Sequence, residues 1–234
     1  MTMRTIGLIG GMSWESSAEY YRIVNQGVRD RVGPTASASC LMWSFNFAEI
    51  EALQHRGDWD ALTARMTHAA RTLEAGGADV LLICTNTMHR MADAVQAAVS
   101  IPLLHIADPT AARITAAGLR TVGLLGTAFT MEQDFYKGRL AAHHGLDVIV
   151  PDAADRATVH RVIYDELVAG QVRPESRAAF RDVIVRLVDR GAQGVILGCT
   201  EIMLLVGADD SAVPLFDTTA LHAAAAVDWA LGEG

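Results

Sequence analysis

Short apolar runs alternate along the chain with longer segments of helical periodicity. The apolar runs predict strands at Ile6–Ile9, Val80–Ile83, Leu103–Ile106, Val122–Leu125, Val148–Val150, Val195–Leu197 and Leu215–Phe216. The periodic segments predict helices at Ser17–Asp30, Asp60–Ala75, Met131–His143, Ala157–Ala169 and Glu175–Arg190. Strands that alternate with helices of this length are typical of βαβ units around a parallel sheet. Because the runs are apolar on both faces, we expect helices on both sides of each sheet.

The two halves of the chain resemble each other. Three landmarks return in the same order: Gly7-Leu8-Ile9-Gly10 as Gly123-Leu124-Leu125-Gly126, Gly77-Ala78-Asp79 as Gly191-Ala192-Gln193, and Ile101-Pro102-Leu103 as Val213-Pro214-Leu215. Ordered landmarks of this kind indicate an internal duplication. The sequence therefore predicts an α/β fold of two pseudo-symmetric lobes, residues 1–118 and 119–234. Each lobe is expected to be a parallel sheet flanked by helices, with the site in the cleft between the lobes and with elements free to cross the boundary.

The charge balance and the cysteine content narrow the choice of partner and compartment. The 234 residues carry a formal net charge of −8, which argues against a nucleic-acid partner. No apolar segment has the length that a membrane span needs, and the first apolar run is expected to be a buried strand rather than a signal peptide. Three cysteines, Cys40, Cys84 and Cys199, form an odd, sparse set. Such a set argues against a disulfide framework and favours a cytoplasmic location.

The ends of the predicted strands are the natural place for a ligand. In open α/β sheets, ligands bind beyond the carboxyl ends of the strands. The segments that follow strands here are Gly10-Gly11-Met12-Ser13, Cys84-Thr85-Asn86-Thr87, Thr127-Ala128-Phe129-Thr130 and Cys199-Thr200-Glu201. The polar side chains of these segments carry hydroxyl, amide, thiol and carboxylate groups. The cysteines and histidines of the chain lack the spacing of a metal site.

Two of these segments place a cysteine thiol at the start of a helix or turn, where backbone N–H groups are free to bind a ligand. A thiolate is both a base and a nucleophile, and a nearby helix N-terminus lowers the pKa of the thiol. Free N–H groups at such ends bind carboxylates and stabilise an enolate-like intermediate. Two groups that face one carbon from opposite sides can invert it, because one removes the α-proton and the other returns a proton. This chemistry requires no cofactor.

The chain resembles the aspartate/glutamate racemase family. The matching stretches are Gly7–Ser16 (GLIGGMSWES), Cys84–His89 (CTNTMH), Ile163–Gly170 (IYDELVAG) and Gly198–Ile202 (GCTEI). The resemblance implies an isomerase of two pseudo-symmetric lobes that racemises a small amino-acid substrate without pyridoxal phosphate or any other cofactor. It also implies a homodimer and a pair of opposed catalytic side chains.

One position departs from the family pattern. The first-lobe motif of the family has cysteine directly before Asn-Thr, whereas Thr85 holds that position here and Cys84 lies one residue earlier. Placing Gly77-Ala78 on Gly191-Ala192 likewise aligns Thr85 with Cys199. A one-residue slip turns a strand side chain to the other face. The pair Thr85/Cys199 is therefore favoured, and the pair Cys84/Cys199 stays open as the alternative.

A threonine in the first-lobe position resembles the bacterial L-aspartate/glutamate-specific racemases. The resemblance implies that Cys199 removes the α-proton of L-aspartate or L-glutamate. It also implies that Thr85 lies on the opposite face of the α-carbon. A hydroxyl is a far weaker acid than a thiol. Proton transfer on the Thr85 face of the substrate is therefore expected to be slower than on the Cys199 face. Because enantiomers are equally stable, the asymmetry has to be kinetic.

Further residues of the same segments are expected to bind substrate. They are Met12, Ser13, Gln54, Asn86, Thr87, Thr127, Thr130, Thr200 and Glu201. Helix capping is the alternative role for Ser13, Asn86 and Thr87, and Glu201 is expected either to hold the substrate ammonium group or to orient Cys199. Gln54 follows Ser44–Glu51, which resembles a site-lining loop. Related racemases carry a basic residue for the distal carboxylate at a position that falls near Val168 here, and Val168 is not basic.

Other activities on the same scaffold remain open at this point. A single well-placed thiol also suits a decarboxylase of malonate-type acids. A maleate-isomerase-like or hydantoin-racemase-like activity and a catalytically silent binder of small dicarboxylates are further alternatives. A silent binder would not exchange the α-proton of its ligand.

Overall fold

The computed structural model describes residues 3–233, which contain eight strands and ten α-helices. The strands are β1 (Ile6–Gly10), β2 (Cys40–Ser44), β3 (Val80–Ile83), β4 (Leu103–Leu104), β5 (Thr121–Gly126), β6 (Asp147–Ile149), β7 (Val195–Gly198) and β8 (Leu215–Asp217). The helices are α1 (Trp14–Val32), α2 (Phe47–Arg56), α3 (Trp59–Ala75), α4 (Ala92–Ala97), α5 (Ala107–Ala116), α6 (Ala128–Glu132), α7 (Asp134–His144), α8 (Ala153–Asp165), α9 (Pro174–Asp189) and α10 (Thr218–Leu231). Short 3₁₀ turns lie at Thr87–Met91, Leu167–Ala169, Ile202–Leu204 and Ala208–Asp210.

The chain folds into two compact units. The first unit holds the residues up to Ile106 and those from His222 onwards, and the second unit holds Ala107–Leu221. The chain thus enters the second unit at the start of α5 and leaves it within α10. The internal repeat alone pointed to a division near residue 118, because it contains no signal that the last helix returns to the first unit.

The sheet of the first unit runs in the order β2-β1-β3-β4, and all its strand pairs are parallel. Successive residues of β3 face opposite sides of the sheet. Leu81 and Ile83 belong to a core with α2 and α3, whereas Val80 and Leu82 belong to a second core with α1 and α10. Burial on both faces explains why this strand is a continuous apolar run.

The second unit repeats this arrangement. Its four strands run in the order β6-β5-β7-β8, again all parallel, so that β5 and β7 take the central places of β1 and β3. Helices α8 and α9 pack Val162, Ile163, Val183 and Leu187 into its core. Two four-stranded parallel sheets with the same strand order confirm the predicted α/β fold.

Strand β2 and helix α2 of the first unit were missing from the sequence prediction, as were α4 and the part of α10 in this unit. Strand β2 is the edge of its sheet and is only partly buried, and Cys40 at its start is half-buried. The segment Ser44–Glu51 does not form a loop, because α2 begins at Phe47. The Asn46 side chain accepts a hydrogen bond from Ala48 N at 3.3 Å and caps α2. Gly57 ends it in the left-handed conformation, which glycine adopts without strain.

Within residues 3–233, no helix is both long enough and apolar enough to cross a bilayer.

Candidate active site

Cys199 is the first residue after β7, at the carboxyl end of a central strand. It is half-buried. Its thiol donates a hydrogen bond to Glu201 Oε2 at 3.0 Å, and the Thr200 hydroxyl donates to the same oxygen at 3.0 Å. Glu201 is 2% exposed. One buried carboxylate oxygen therefore orients both the thiol and the neighbouring hydroxyl.

The surroundings of Cys199 favour the protonated thiol. Burial raises the pKa of the Cys199 thiol well above its ordinary value, and the charge and hydrogen bond of Glu201 raise this pKa further. The backbone N–H groups of Glu201 and Thr200 act in the opposite direction. The sulfur therefore rests as a thiol with a proton acceptor already in contact, and the thiolate that forms by proton transfer is a strong base.

Two glycines lie at the ends of β5 and β7, directly before Thr127 and Cys199. Gly126 and Gly198 face each other at the ends of β5 and β7. A Cβ atom on Gly198 would lie 2.8 Å from Leu125 O, and one on Gly126 would lie 2.9 Å from Gly198 O and 3.2 Å from Thr130 Cβ. Larger side chains would push the two strand ends apart, so glycine at both positions keeps the two segments that follow β5 and β7 together.

Thr127 and Thr130, two predicted site residues, lie directly after β5: Thr127 caps α6 and Thr130 lies within it. Thr127 Oγ1 caps α6 by accepting a hydrogen bond from Thr130 N at 3.3 Å, and the two hydroxyl oxygens are 3.3 Å apart. Both side chains are at most 6% exposed. The Ala128 N–H donates to His160 Nδ1 at 3.2 Å. The sequence carried no signal for His160, because a distant residue of α8 reaches this turn only through the fold.

The segment after β3 separates Cys84 from Thr85. Cys84 continues the alternation of Val80 and Leu82 and lies fully buried in the core with α1 and α10. Burial raises the pKa of the Cys84 thiol far above its ordinary value. Thr85 is half-buried and belongs to neither of the two cores of this unit. Cys84 and Thr85 are neighbours in sequence but therefore lie in different environments.

Asn86 and Thr87 follow Thr85 into a 3₁₀ turn. They are 2% and 5% exposed. Asn86 precedes the turn with an α-helical backbone, and its side chain makes no capping hydrogen bond. Ordinary helix capping, the alternative role for Asn86, is therefore absent. His89 in the same turn is buried and hydrogen-bonded.

Met12 and Ser13 lie between β1 and α1. Ser13 caps α1, because its hydroxyl accepts a hydrogen bond from Ser16 N at 3.3 Å. Met12 is buried in the core with α2 and α3. Gly11 has a φ of +81°, and a Cβ atom there would lie 2.3 Å from Phe45 N. This turn therefore requires glycine, and the capping role expected as the alternative for Ser13 is present.

Gln54 lies apart from the strand-end segments in the chain. It belongs to the last turn of α2 and is 5% exposed. Within residues 3–233, no group of three or more His, Cys, Asp or Glu side chains is arranged to hold a metal ion. The other predicted site residues follow neighbouring central strands: β1 and β3 in the first unit, and β5 and β7 in the second.

Replacing Glu201 by glutamine is expected to lower the pKa of the Cys199 thiol. The substitution removes a negative charge that raises this pKa, so the thiolate should form at lower pH. The rate of iodoacetamide alkylation at Cys199, followed by peptide mass mapping against pH, should rise earlier in the variant. Alkylation of half-buried Cys40 is the internal control and should keep its profile. An unchanged or higher midpoint at Cys199 would contradict the assigned role of the Glu201 charge.

The sequence model of the family described as Asp/Glu/hydantoin racemase matches residues 9–226. The chain belongs to this family. It is therefore an isomerase of the racemase type. A solved structure of a proposed Asp/Glu racemase from Yersinia pestis is similar over 98% of this chain and 100% of that one, with 53% identity and a TM-score of 0.91. An aspartate racemase homologue from Pyrococcus horikoshii OT3 covers the same shares with 33% identity and a TM-score of 0.84.

A curated relative extends the comparison to amino-acid racemases of broader specificity. The broad specificity amino-acid racemase RacX of Bacillus subtilis (strain 168) is 25% identical over 173 residues, which are 73% of this chain and 73% of RacX. Glutamate racemase from Francisella tularensis has a TM-score of 0.64 at 15% identity, over 99% of this chain and 82% of that one, and so shares the fold.

Proposed function

We propose that this racemase inverts the α-carbon of L-aspartate and L-glutamate, with Cys199 as the base for the L-isomer and Thr85 on the opposite face. The observation that carries the proposal is the contact of the half-buried Cys199 thiol with the buried Glu201 carboxylate. A thiol held against a proton acceptor at a strand end is what abstraction of a weakly acidic α-proton requires.

The first step uses the hydrogen bond between Cys199 and Glu201. The carboxylate takes the thiol proton when substrate binds, and the thiolate then takes the α-proton of the L-isomer. The C–H electron pair stays on the α-carbon as a carbanion conjugated with the α-carboxyl group. The raised pKa of the Cys199 thiol makes its thiolate a stronger base, and substrate binding has to offset the low thiolate population.

In the second step, Thr85 protonates the carbanion. Its hydroxyl gives a proton to the opposite face of the carbanion. The resulting alkoxide regains a proton from water, and Glu201 releases to the hydroxide so formed the proton that it took from Cys199. A hydroxyl releases its proton less readily than a thiol, so this step is slower than proton return by Cys199. The two faces of the substrate therefore exchange protons at different rates.

Cys84 is an unsuitable partner for Cys199. Its side chain is 0% exposed and packs with Val80 and Leu82 on the opposite face of β3 from Ile83. Burial also raises the pKa of this thiol, and its surroundings in this core are apolar, whereas the Cys199 thiol contacts the Glu201 carboxylate. The structure thus favours Thr85 over the alternative of a two-cysteine site.

Substrate contacts are proposed for the remaining strand-end residues. Asn86 and Thr87 in the first unit, and Thr127, Thr130 and Thr200 in the second, offer amide, hydroxyl and backbone N–H groups for the α-carboxylate and the ammonium group. Met12, Ser13 and Gln54 complete the proposed set. Glu201 orients Cys199, which was one of its two predicted roles. The group that binds the distal carboxylate stays unassigned.

The proposal also covers the cofactor requirement, the cellular location and the oligomeric state of the enzyme. The reaction as derived moves only protons, so we propose that it proceeds without pyridoxal phosphate or another cofactor. The sparse cysteines favour a cytoplasmic enzyme, the charge of −8 disfavours nucleic acid, and the family resemblance suggests a homodimer.

Chiral chromatography of reactions without added cofactor tests the proposal. Purified protein is incubated separately with L-aspartate, D-aspartate, L-glutamate and D-glutamate, and with L-alanine as a substrate that lacks the distal carboxylate. We expect the opposite enantiomer to form from the acidic amino acids and not from alanine. Loss of carbon dioxide from malonate-type acids without any inversion would favour the decarboxylase, and binding without turnover would favour the silent binder.

A further inference from the structure

We propose that His89 is a positioning residue for Thr85. Its imidazole holds the Thr85 backbone carbonyl and thereby directs the Thr85 hydroxyl for proton delivery. The inference rests on the proposed function, which gives Thr85 its part in the reaction.

The hydrogen bonds of His89 determine its tautomer. His89 Nδ1 donates to Thr85 O at 2.8 Å, and the Ile106 N–H donates to His89 Nε2 at 3.1 Å. A carbonyl can only accept and a backbone amide can only donate, so the ring is neutral with its proton on Nδ1. His89 is 2% exposed. The imidazole therefore links the end of β3 to the segment after β4 through two directed bonds.

The backbone itself does not supply this bond. In an α-helix, Thr85 O would accept from the backbone N–H of residue 89. Here the chain forms a 3₁₀ turn, and His89 N donates to Asn86 O at 3.1 Å instead. The His89 side chain takes the place of the missing helical amide. Removing it would leave the Thr85 carbonyl without this donor and allow the peptide plane to turn.

Other buried rings hold the imidazole in place. The His105 ring lies 4.5 Å from the His89 ring, and the His222 ring lies 5.8 Å away, centroid to centroid. The Tyr20 hydroxyl donates to His222 Nδ1 at 2.8 Å, and His222 Nε2 donates to Leu104 O at 2.9 Å. Because these bonds also fix the His222 tautomer, the His89 ring cannot swing without disturbing several directed contacts.

The second unit has no equivalent of this imidazole. The alignment that places Thr85 on Cys199 puts Met203 at the position of His89 and Glu201 at the position of Thr87. Cys199 is oriented by the Glu201 carboxylate two residues away. Each unit therefore orients its reacting side chain by a different device: a carboxylate for the thiol and an imidazole for the threonine.

Two substitutions separate the two bonds of His89. Asparagine places an N–H donor near the position of Nδ1, so His89→Asn retains a donor for Thr85 O. Glutamine places its oxygen near the position of Nε2, so His89→Gln retains only the acceptor for Ile106 N. The readout is the amount of D-isomer formed divided by the deuterium in recovered L-substrate, in D₂O. This ratio compares the Thr85 face with the Cys199 face in the same active sites and does not depend on the folded fraction.

We expect His89→Gln to lower the ratio by about an order of magnitude, because misplacing a reacting group costs that much or more. His89→Asn should leave it unchanged. Tyr20→Phe removes a hydrogen bond to the His222 ring, which only packs against His89, and should lower the ratio far less than His89→Gln does. Equal ratios in wild type and His89→Gln, a fall in His89→Asn, or an equal fall in Tyr20→Phe would overturn the inference. If His89→Gln does not fold, the expected wild-type ratio of His89→Asn still tests it. Absence of exchange in wild type would instead refute the proposed function.

Discussion

Replacing Cys199 by alanine is expected to remove deuterium exchange at the α-carbon of the L-isomer. The substitution deletes the proposed base, and general-base catalysis is worth about 10²- to 10⁴-fold in rate. Inversion in both directions should fall by a similar factor, because each passes through the same carbanion. Cys199→Ser is expected to be almost as slow. Serine can still donate to Glu201, but its hydroxyl is a far weaker acid than the thiol.

Cys84→Ala is the matched control for this variant. Cys84 lies fully buried among apolar side chains, so the change creates a small cavity with an expected cost of about 1 to 2 kcal/mol in the free energy of unfolding. Its exchange and inversion rates per folded molecule should stay at the wild-type level. Activity that survives Cys199→Ala, or that disappears in Cys84→Ala despite intact folding, would contradict the assignment of the base.

Replacing Thr85 by valine is expected to uncouple exchange from inversion. Valine has nearly the shape of threonine but no proton to deliver, so formation of the D-isomer should fall by about 10²-fold. Deuterium should still enter recovered L-substrate, because Cys199 removes and returns the proton on its own face. Chiral chromatography with mass detection measures both quantities in one reaction.

Thr85→Cys is the complementary variant. A thiol in this position should deliver and remove protons on the D face, so inversion should become faster. At substrate concentrations well below KM it should speed up equally in both directions, because the equilibrium constant between enantiomers is one. Thr85→Ser, which keeps a hydroxyl, should stay near wild type. Loss of L-exchange in Thr85→Val would instead mean that Thr85 supports substrate binding or the Cys199 step.

The duplicated fold could be predicted because its signals are local. Apolar runs such as Val80–Ile83 and Val195–Leu197 are buried on both sheet faces. The repeated glycines Gly10 and Gly126 end the central strands β1 and β5. Strand β2 escaped prediction although Leu41-Met42-Trp43 are apolar, because it is an edge strand that is only partly buried. Helix α10 escaped because its alanine-rich sequence lacks a polar face, and its role in the core of the first unit emerges only from packing.

The strand-end segments could be predicted from topology, but the partners of their side chains could not. That Glu201 orients Cys199 was one of two predicted roles, because neighbours in sequence can contact each other without knowledge of the fold. The bond between Ala128 and His160 joins residues from separate elements and gave no sequence signal. The same is true of the ring cluster around His89, since Tyr20 and His222 come from opposite ends of the chain.

The most direct test of the central claim is the fate of deuterium in substrate recovered from the wild-type enzyme in D₂O. Each enantiomer of the substrate pair that it inverts is supplied alone, and unreacted substrate is recovered at low conversion. We predict that recovered L-substrate gains α-deuterium faster than D-product forms, whereas recovered D-substrate stays free of deuterium, because its carbanion is reprotonated mainly by Cys199. Equal deuterium in both recovered enantiomers would contradict a site that pairs a thiol with a threonine and would indicate two bases of similar strength.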